Sequence, residues 1–96
     1  MTVTAVDQAQ IAEYAKVICR PFPQITVVRQ DVNLLDSRYD IIVCEWMGYF
    51  LLYEGFVYDI IKARDRLLKP GGLIMPDKFA MYVCGIKDTR ETKLEK

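Results

Sequence analysis

The chain has 96 residues, just over half of them apolar, with 13 basic and 13 acidic side chains and no histidine. That length suits one small domain, and the balanced charge gives no bulk attraction to nucleic acid or to an anionic membrane. No apolar run approaches the roughly 20 residues of a membrane span, and the opening MTVTAVDQAQ has neither the basic start nor the apolar stretch of a secretory signal.

In chain order, TVTAV (2–6) is rich in β-branched residues and predicts a short strand ending at Asp7. QAQIAEYAKVICR follows, with Ile11, Tyr14, Ala15 and Ile18 on one helical face. PFP (21–23) stops that helix, because proline lacks an amide donor and restricts its predecessor. QITVVRQ (24–30) predicts a second strand, DVNLLDS a loop, and YDIIVCE (39–45) a third strand whose continuous apolar run suits coverage on both faces. From Leu52 to Leu68, apolar residues fall at helical spacing with Asp59, Lys62, Arg64 and Asp65 between them. KPGG (69–72) is expected to end that helix through a left-handed glycine cap. GLIMP (72–76) predicts a fourth strand and FAMYVCGI (79–86) a fifth, before the polar tail KDTRETKLEK. Strands alternating with helices imply an α/β fold with a mainly parallel sheet.

Cys19, Cys44 and Cys84 are odd in number, widely spaced and without a C-x-x-C pair. A disulfide framework or zinc site is not expected, and reduced intracellular thiols, in cytoplasm or nucleus, are. The absence of histidine removes the usual general base and the Ser-His and Cys-His nucleophile pairs. In open α/β sheets ligands bind beyond the carboxyl ends of strands, where Asp7 and Glu45 fall. Asp7 can cap the following helix or accept hydrogen bonds from a ribose. Glu45 and Glu54 lie at the two ends of CEWMGYFLLYE (44–54), with Gly48 permitting a tight turn between them. They can be an acid/base pair, a cation clamp or two solvated loop acids. A metal site lacks a third ligand in the segment. A guanidinium suits two carboxylates because its donors form a fork, and Trp46, Tyr49 and Phe50 can wall such a site.

CEWMGYFLLYE closely resembles the double-E loop of the protein arginine methyltransferases, S-E-W-M-G-Y followed by a few apolar residues and Y-E. ARDRLLKPGGLIMPDKFAMYVCGIKD is similar to that family's next helix and motif III strand, and VTAVD with IAEYAKVI to an earlier strand and helix of its methyl-donor domain. The likeness runs through most of residues 2–88. It implies a class I, S-adenosylmethionine-dependent fold and methyl transfer to a protein arginine. Glu45 and Glu54 would then hold the guanidinium, with Met47 and Tyr49 lining the substrate pocket. Asp7 stands where the family carries a ribose-binding glutamate one methylene longer, and Val32 and Asn33 match the pair that touches adenine. Asn33 replaces a common acid and Cys44 a serine.

The family's first strand and glycine-rich donor loop would precede Thr2, and its C-terminal β-barrel would follow. The resemblance therefore implies a partial Rossmann-like class I methyltransferase sheet with covering helices. Residues 1–88 would be a partial donor domain and 89–96 a polar tail. With the donor site incomplete, the 96 residues alone are expected to give no turnover. The implied partners are an arginine-containing protein and, through exposed strand edges, a second copy; direct nucleic-acid or membrane contact is not expected. A non-catalytic arginine-binding or regulatory module and a structural, self-associating piece are the alternatives.

Overall fold

The computed structural model describes residues 1–89. Its elements, in order, are strand β1 (Val3–Val6), helix α1 (Ile11–Ile18), strand β2 (Ile25–Val28), a 3-10 turn (Val32–Leu34), strand β3 (Tyr39–Val43), helix α2 (Phe56–Leu67) and strand β4 (Leu68–Met75). They make two β-α-β units. β1 and β2 pair in parallel from Val3↔Ile25 to Val6↔Val28. β3 and β4 pair in parallel through Ile41↔Leu73, Ile42↔Ile74 and Val43↔Met75. Parallel neighbours need a crossover, and each helix supplies one. The expected α/β class holds, but the sheet is split into two two-stranded halves, with no pairing between β1 and β3.

The halves meet at the 3-10 turn and α2. Three bonds tie the connecting segment to the second half: the Asn33 side-chain amide donates to Asp59 Oδ1 at 3.4 Å, the Arg66 guanidinium donates to the Leu35 carbonyl, and Arg38 Nη1 donates to the Leu68 carbonyl at 3.1 Å. Asp31 caps the 3-10 turn, its Oδ1 accepting from the Asn33 backbone N–H at 2.9 Å.

Five local expectations are corrected. α2 starts at Phe56, because Phe50 and Leu51 adopt left-handed φ of 58° and residues 49–54 coil into turns. KPGG does not cap α2. The helix passes straight into β4 at Leu68, and KPGG forms a bulge in β4 between the Tyr39↔Leu68 and Ile41↔Leu73 pairs. Gly72 sits there because a Cβ would lie 2.8 Å from the Asp40 carbonyl oxygen. Residues 79–86 form no strand; their composition suits one, but a strand exists only with a ladder partner. β3 is covered on one face only: Ile42 is half-buried, while Ile41 and Val43 are exposed.

The last correction concerns α1. Ala12 is 1% exposed and faces inward, whereas Ile11, Tyr14 and Ile18 of the expected core face lie in solvent. Periodicity finds the apolar stripe of a helix, but here the sheet beneath α1 is two strands wide and supports only the small Ala12 and Ala15 side. The buried apolar residues among those described are Ala12, Ala63 and Leu67. The radius of gyration is 18.8 Å, against about 12–13 Å for a compact chain of this length. Of the polar tail expected over 89–96, all but Thr89 lies outside the described residues.

Candidate functional site

The carboxyl ends of β1, β2 and β3 converge with the start of α2 around a half-open cleft of about 340 Å³. That is within the range of small-molecule sites, and it lies where open parallel sheets bind ligands. Asp7, Asp31, Glu45 and Asp59 line it, with no lysine or arginine among the lining residues. Four carboxylates around a cleft of that size favour a cationic or hydroxyl-rich ligand.

Each acid is placed by local chain geometry. β1 ends as the Asp7 N–H donates to the Val28 carbonyl at 3.1 Å. One carboxylate oxygen of Asp7 then accepts from the Ala9 N–H at 2.9 Å. This closes a turn ahead of α1, whose own N-cap, Gln10, makes no side-chain bond. Asp7 is therefore a turn residue with one oxygen committed, rather than the helix cap. Asn33 is fixed more tightly. Its amide nitrogen reaches Asp31 Oδ1 at 3.0 Å and Asp59 Oδ1 at 3.4 Å, which commits both ends of the donor and keeps its carbonyl oxygen as the acceptor. Cys44 also lines the cleft. Burial pushes its thiol pKa up, so it stays neutral rather than acting as a thiolate nucleophile.

The structure thus brings Asp7, Val32, Asn33 and Glu45 to one cleft. It does not bring Glu54, Met47 or Tyr49 to the same lining. The Glu54 carboxylate folds against Gly48, where a Cβ would lie 2.9 Å from Cδ and 3.0 Å from Oε2. Gly48 has φ +52°, so glycine serves both the turn and the close approach. Met47 Sδ accepts from the Trp46 N–H at 3.4 Å. Tyr49 stacks edge-on against Tyr53, with ring centroids 6.4 Å apart, and is exposed.

Asp31 and Asp59 were not singled out by sequence reasoning. The signal was available: Asp31-Val32-Asn33 is a turn-capping pattern, and Asp59 lies in the first turn of α2. Trp46 stands where the sequence places a wall of the site. It walls the acidic cleft and also an apolar cleft of about 340 Å³ shared with Leu51, Val57, Ile60 and Phe79. Phe79 meets Trp46 edge-on at 4.6 Å. The Trp46 indole N–H is buried without a partner. Among the described residues no cluster of three His, Cys, Asp or Glu could hold a metal ion, and no helix is long and apolar enough to cross a membrane.

No family model matches the chain. It is 42% identical over 94 residues to protein arginine N-methyltransferase 1 of Saccharomyces cerevisiae, covering 92% of this chain and 27% of that protein. It is 46% identical over 67 residues to the Dictyostelium discoideum protein of the same name, covering 67% of this chain and 20% of that one. Among solved structures it matches a chain of the Trypanosoma brucei PRMT1 enzyme-prozyme heterotetrameric complex with AdoHcy. That match has a TM-score of 0.85 and 39% identity, covering 96% of this chain and 31% of the other. Parallel β-α-β units with a ligand-sized cleft past their strand ends, superposing this well on such a chain, define a class I methyltransferase fold. The chain belongs to the protein arginine N-methyltransferase family, and it spans about a quarter of the length of the curated relatives it matches.

Proposed function

We propose that the chain is the arginine-holding part of a protein arginine methyltransferase that uses S-adenosylmethionine, with residues 1–88 a partial donor domain. The observation that carries this reading is the acid-lined cleft at the strand ends, entered by Glu45 from the double-E segment. When bound, the sulfonium donor supplies an electrophilic methyl group. The chain's own residues do the rest. Glu45 and Glu54 hold and orient the guanidinium by forked, charge-assisted hydrogen bonds and balance its charge as the nitrogen is alkylated. Met47 and Tyr49 flank the arginine. The uncommitted carboxylate oxygen of Asp7 accepts from a ribose hydroxyl, the Asn33 carbonyl accepts from the adenine amino group, and Val32 packs on the ring.

Little acid-base chemistry is asked of the chain. The transfer would be an in-line displacement in which the C–S bond breaks as the C–N bond forms and one guanidinium proton leaves to solvent, so positioning dominates. The partner is an arginine-containing protein, and the setting is cytoplasm or nucleus, in keeping with cysteines that are all free. The free strand edges extend the reading to association with a second copy.

A second reading, an arginine-binding module without turnover, is favoured by one observation: Glu54, Met47 and Tyr49 stand off the cleft that Asp7 and Asn33 share. Calorimetry with an arginine-rich peptide, its lysine counterpart and S-adenosylhomocysteine, beside a labelled-methyl assay, tests both. Arginine-selective binding that weakens roughly tenfold on Glu45→Gln is expected, about 1.4 kcal/mol for an exposed carboxylate. Equal binding of the lysine peptide would sink the clamp. Turnover by the 96 residues alone would exclude the module reading.

A further inference from the structure

A carboxylate, the group that Asn33 replaces, presents acceptors only. An amide has a donor end and an acceptor end, and its surroundings decide which end meets a ligand. Two acids make that choice here. Asp31 Oδ1 accepts from the Asn33 amide nitrogen at 3.0 Å and from the Asn33 backbone N–H at 2.9 Å. Asp59 Oδ1 accepts from the same amide nitrogen at 3.4 Å. Reversing the amide would set its carbonyl oxygen against two carboxylates, which have no hydrogen to give.

The two acids are not equivalent. Asp31 lies two residues from Asn33 and also caps the 3-10 turn, so it shapes the backbone there. Asp59 is half-buried and comes from the first turn of α2, 26 residues away in sequence. That end of a helix suits a negative charge. Among the described residues, the bond from Asn33 is the one side-chain hydrogen bond that Asp59 makes. Both residues line the acidic cleft. Without Asp59, one amide hydrogen of Asn33 would have no protein partner and would be left for whatever enters.

We propose that Asp59 is a specificity-determining positioning residue of the donor site. By taking the second amide hydrogen of Asn33, it leaves only the Asn33 carbonyl oxygen to meet the base. That acceptor binds the 6-amino group of a purine and repels a 6-oxo group, since two unpaired oxygens would then face each other. The cleft therefore selects an adenine-bearing donor over its deaminated counterpart, and it does so through a residue on α2 rather than through the 3-10 turn alone. The inference rests on the reading of Asp7, Val32 and Asn33 as the residues that hold adenosine.

NMR titration of the 96-residue chain with adenosine and with inosine, which carry a 6-amino and a 6-oxo group, tests it even where binding is weak. The wild type should prefer adenosine by about tenfold. Asp59→Ala should bring the ratio close to one by tightening inosine, because the freed Asn33 N–H donates to the 6-oxo group. A merely structural role for Asp59 would weaken both nucleosides alike. Asn33→Asp sets three carboxylates together and should lose adenosine. Adding Asp59→Asn to it should restore both the binding and the preference, since the new amide donates to the relocated acid. A preference that survives Asp59→Ala overturns the inference and leaves the adenosine reading standing. So does loss of both nucleosides in that variant with no recovery in the double variant, or equal binding of the two by the wild type. Binding of neither nucleoside by the wild type overturns the adenosine reading and the inference with it.

Discussion

Gly48 sits at the smallest scale on which the site can be tested. Its φ of +52° makes any L side chain costly, by about 1–2 kcal/mol. Its added Cβ would also press on the Glu54 carboxylate, which must then swing away. Gly55 has φ +73° with nothing within 4 Å. Gly48→Ala and Gly55→Ala should therefore lose similar stability in urea melts, while only Gly48→Ala weakens binding of an arginine-rich peptide. Equal binding by both variants would show that the Glu54 position against Gly48 has no role. Cys44 gives a second check. Its thiol pKa is raised by burial, so less thiolate is present at a given pH. Iodoacetamide should label the exposed Cys84 first, and labelling of the half-buried Cys44 should lag and gain more on raising the pH. Labelling of Cys44 ahead of Cys84 would contradict the burial. The Glu45–Glu54 spacing was legible because a strand end and a turn glycine are local signals. The roles of Asp31 and Asp59 were not, since each takes its meaning from Asn33, which binds Asp31 within its own turn and Asp59 on α2 across 26 residues of sequence.

At the scale of elements, strands and crossovers were readable from β-branched runs and proline stops, and the two parallel pairs follow the expected order. What the pattern could not show is which face of an element finds a neighbour. In α1 the large residues Ile11 and Ile18 are exposed while Ala12 is buried. Ala12→Leu should accordingly cost about 1–3 kcal/mol by overpacking against β2, and Ile11→Gln should stay within about 0.5 kcal/mol in the dissociated chain. The reverse ranking, measured by thermal melts at low concentration, would restore the periodicity reading. The strand expected over 79–86 failed for the same reason. Propensity is a property of the segment, whereas a ladder requires a second strand alongside it, and 79–86 pairs with none.

For the molecule as a whole, the decisive quantity is how little is buried. Three apolar residues among those described are fully inside, and a chain of this size is marginal even when compact. Hydrophobic burial must offset conformational entropy, so the open form at high dilution should unfold at low temperature and over a broad range. If a second copy covers the exposed strands, association and folding share one equilibrium. The midpoint then depends on protein concentration. Each tenfold rise adds about 1.4 kcal/mol per dimer, which corresponds to a shift of several degrees for domains of this length. Melts across a hundredfold concentration range, followed by circular dichroism, separate the cases. A concentration-independent midpoint in the wild type would mean that the exposed faces of β3 and α1 are tolerated in water without a partner.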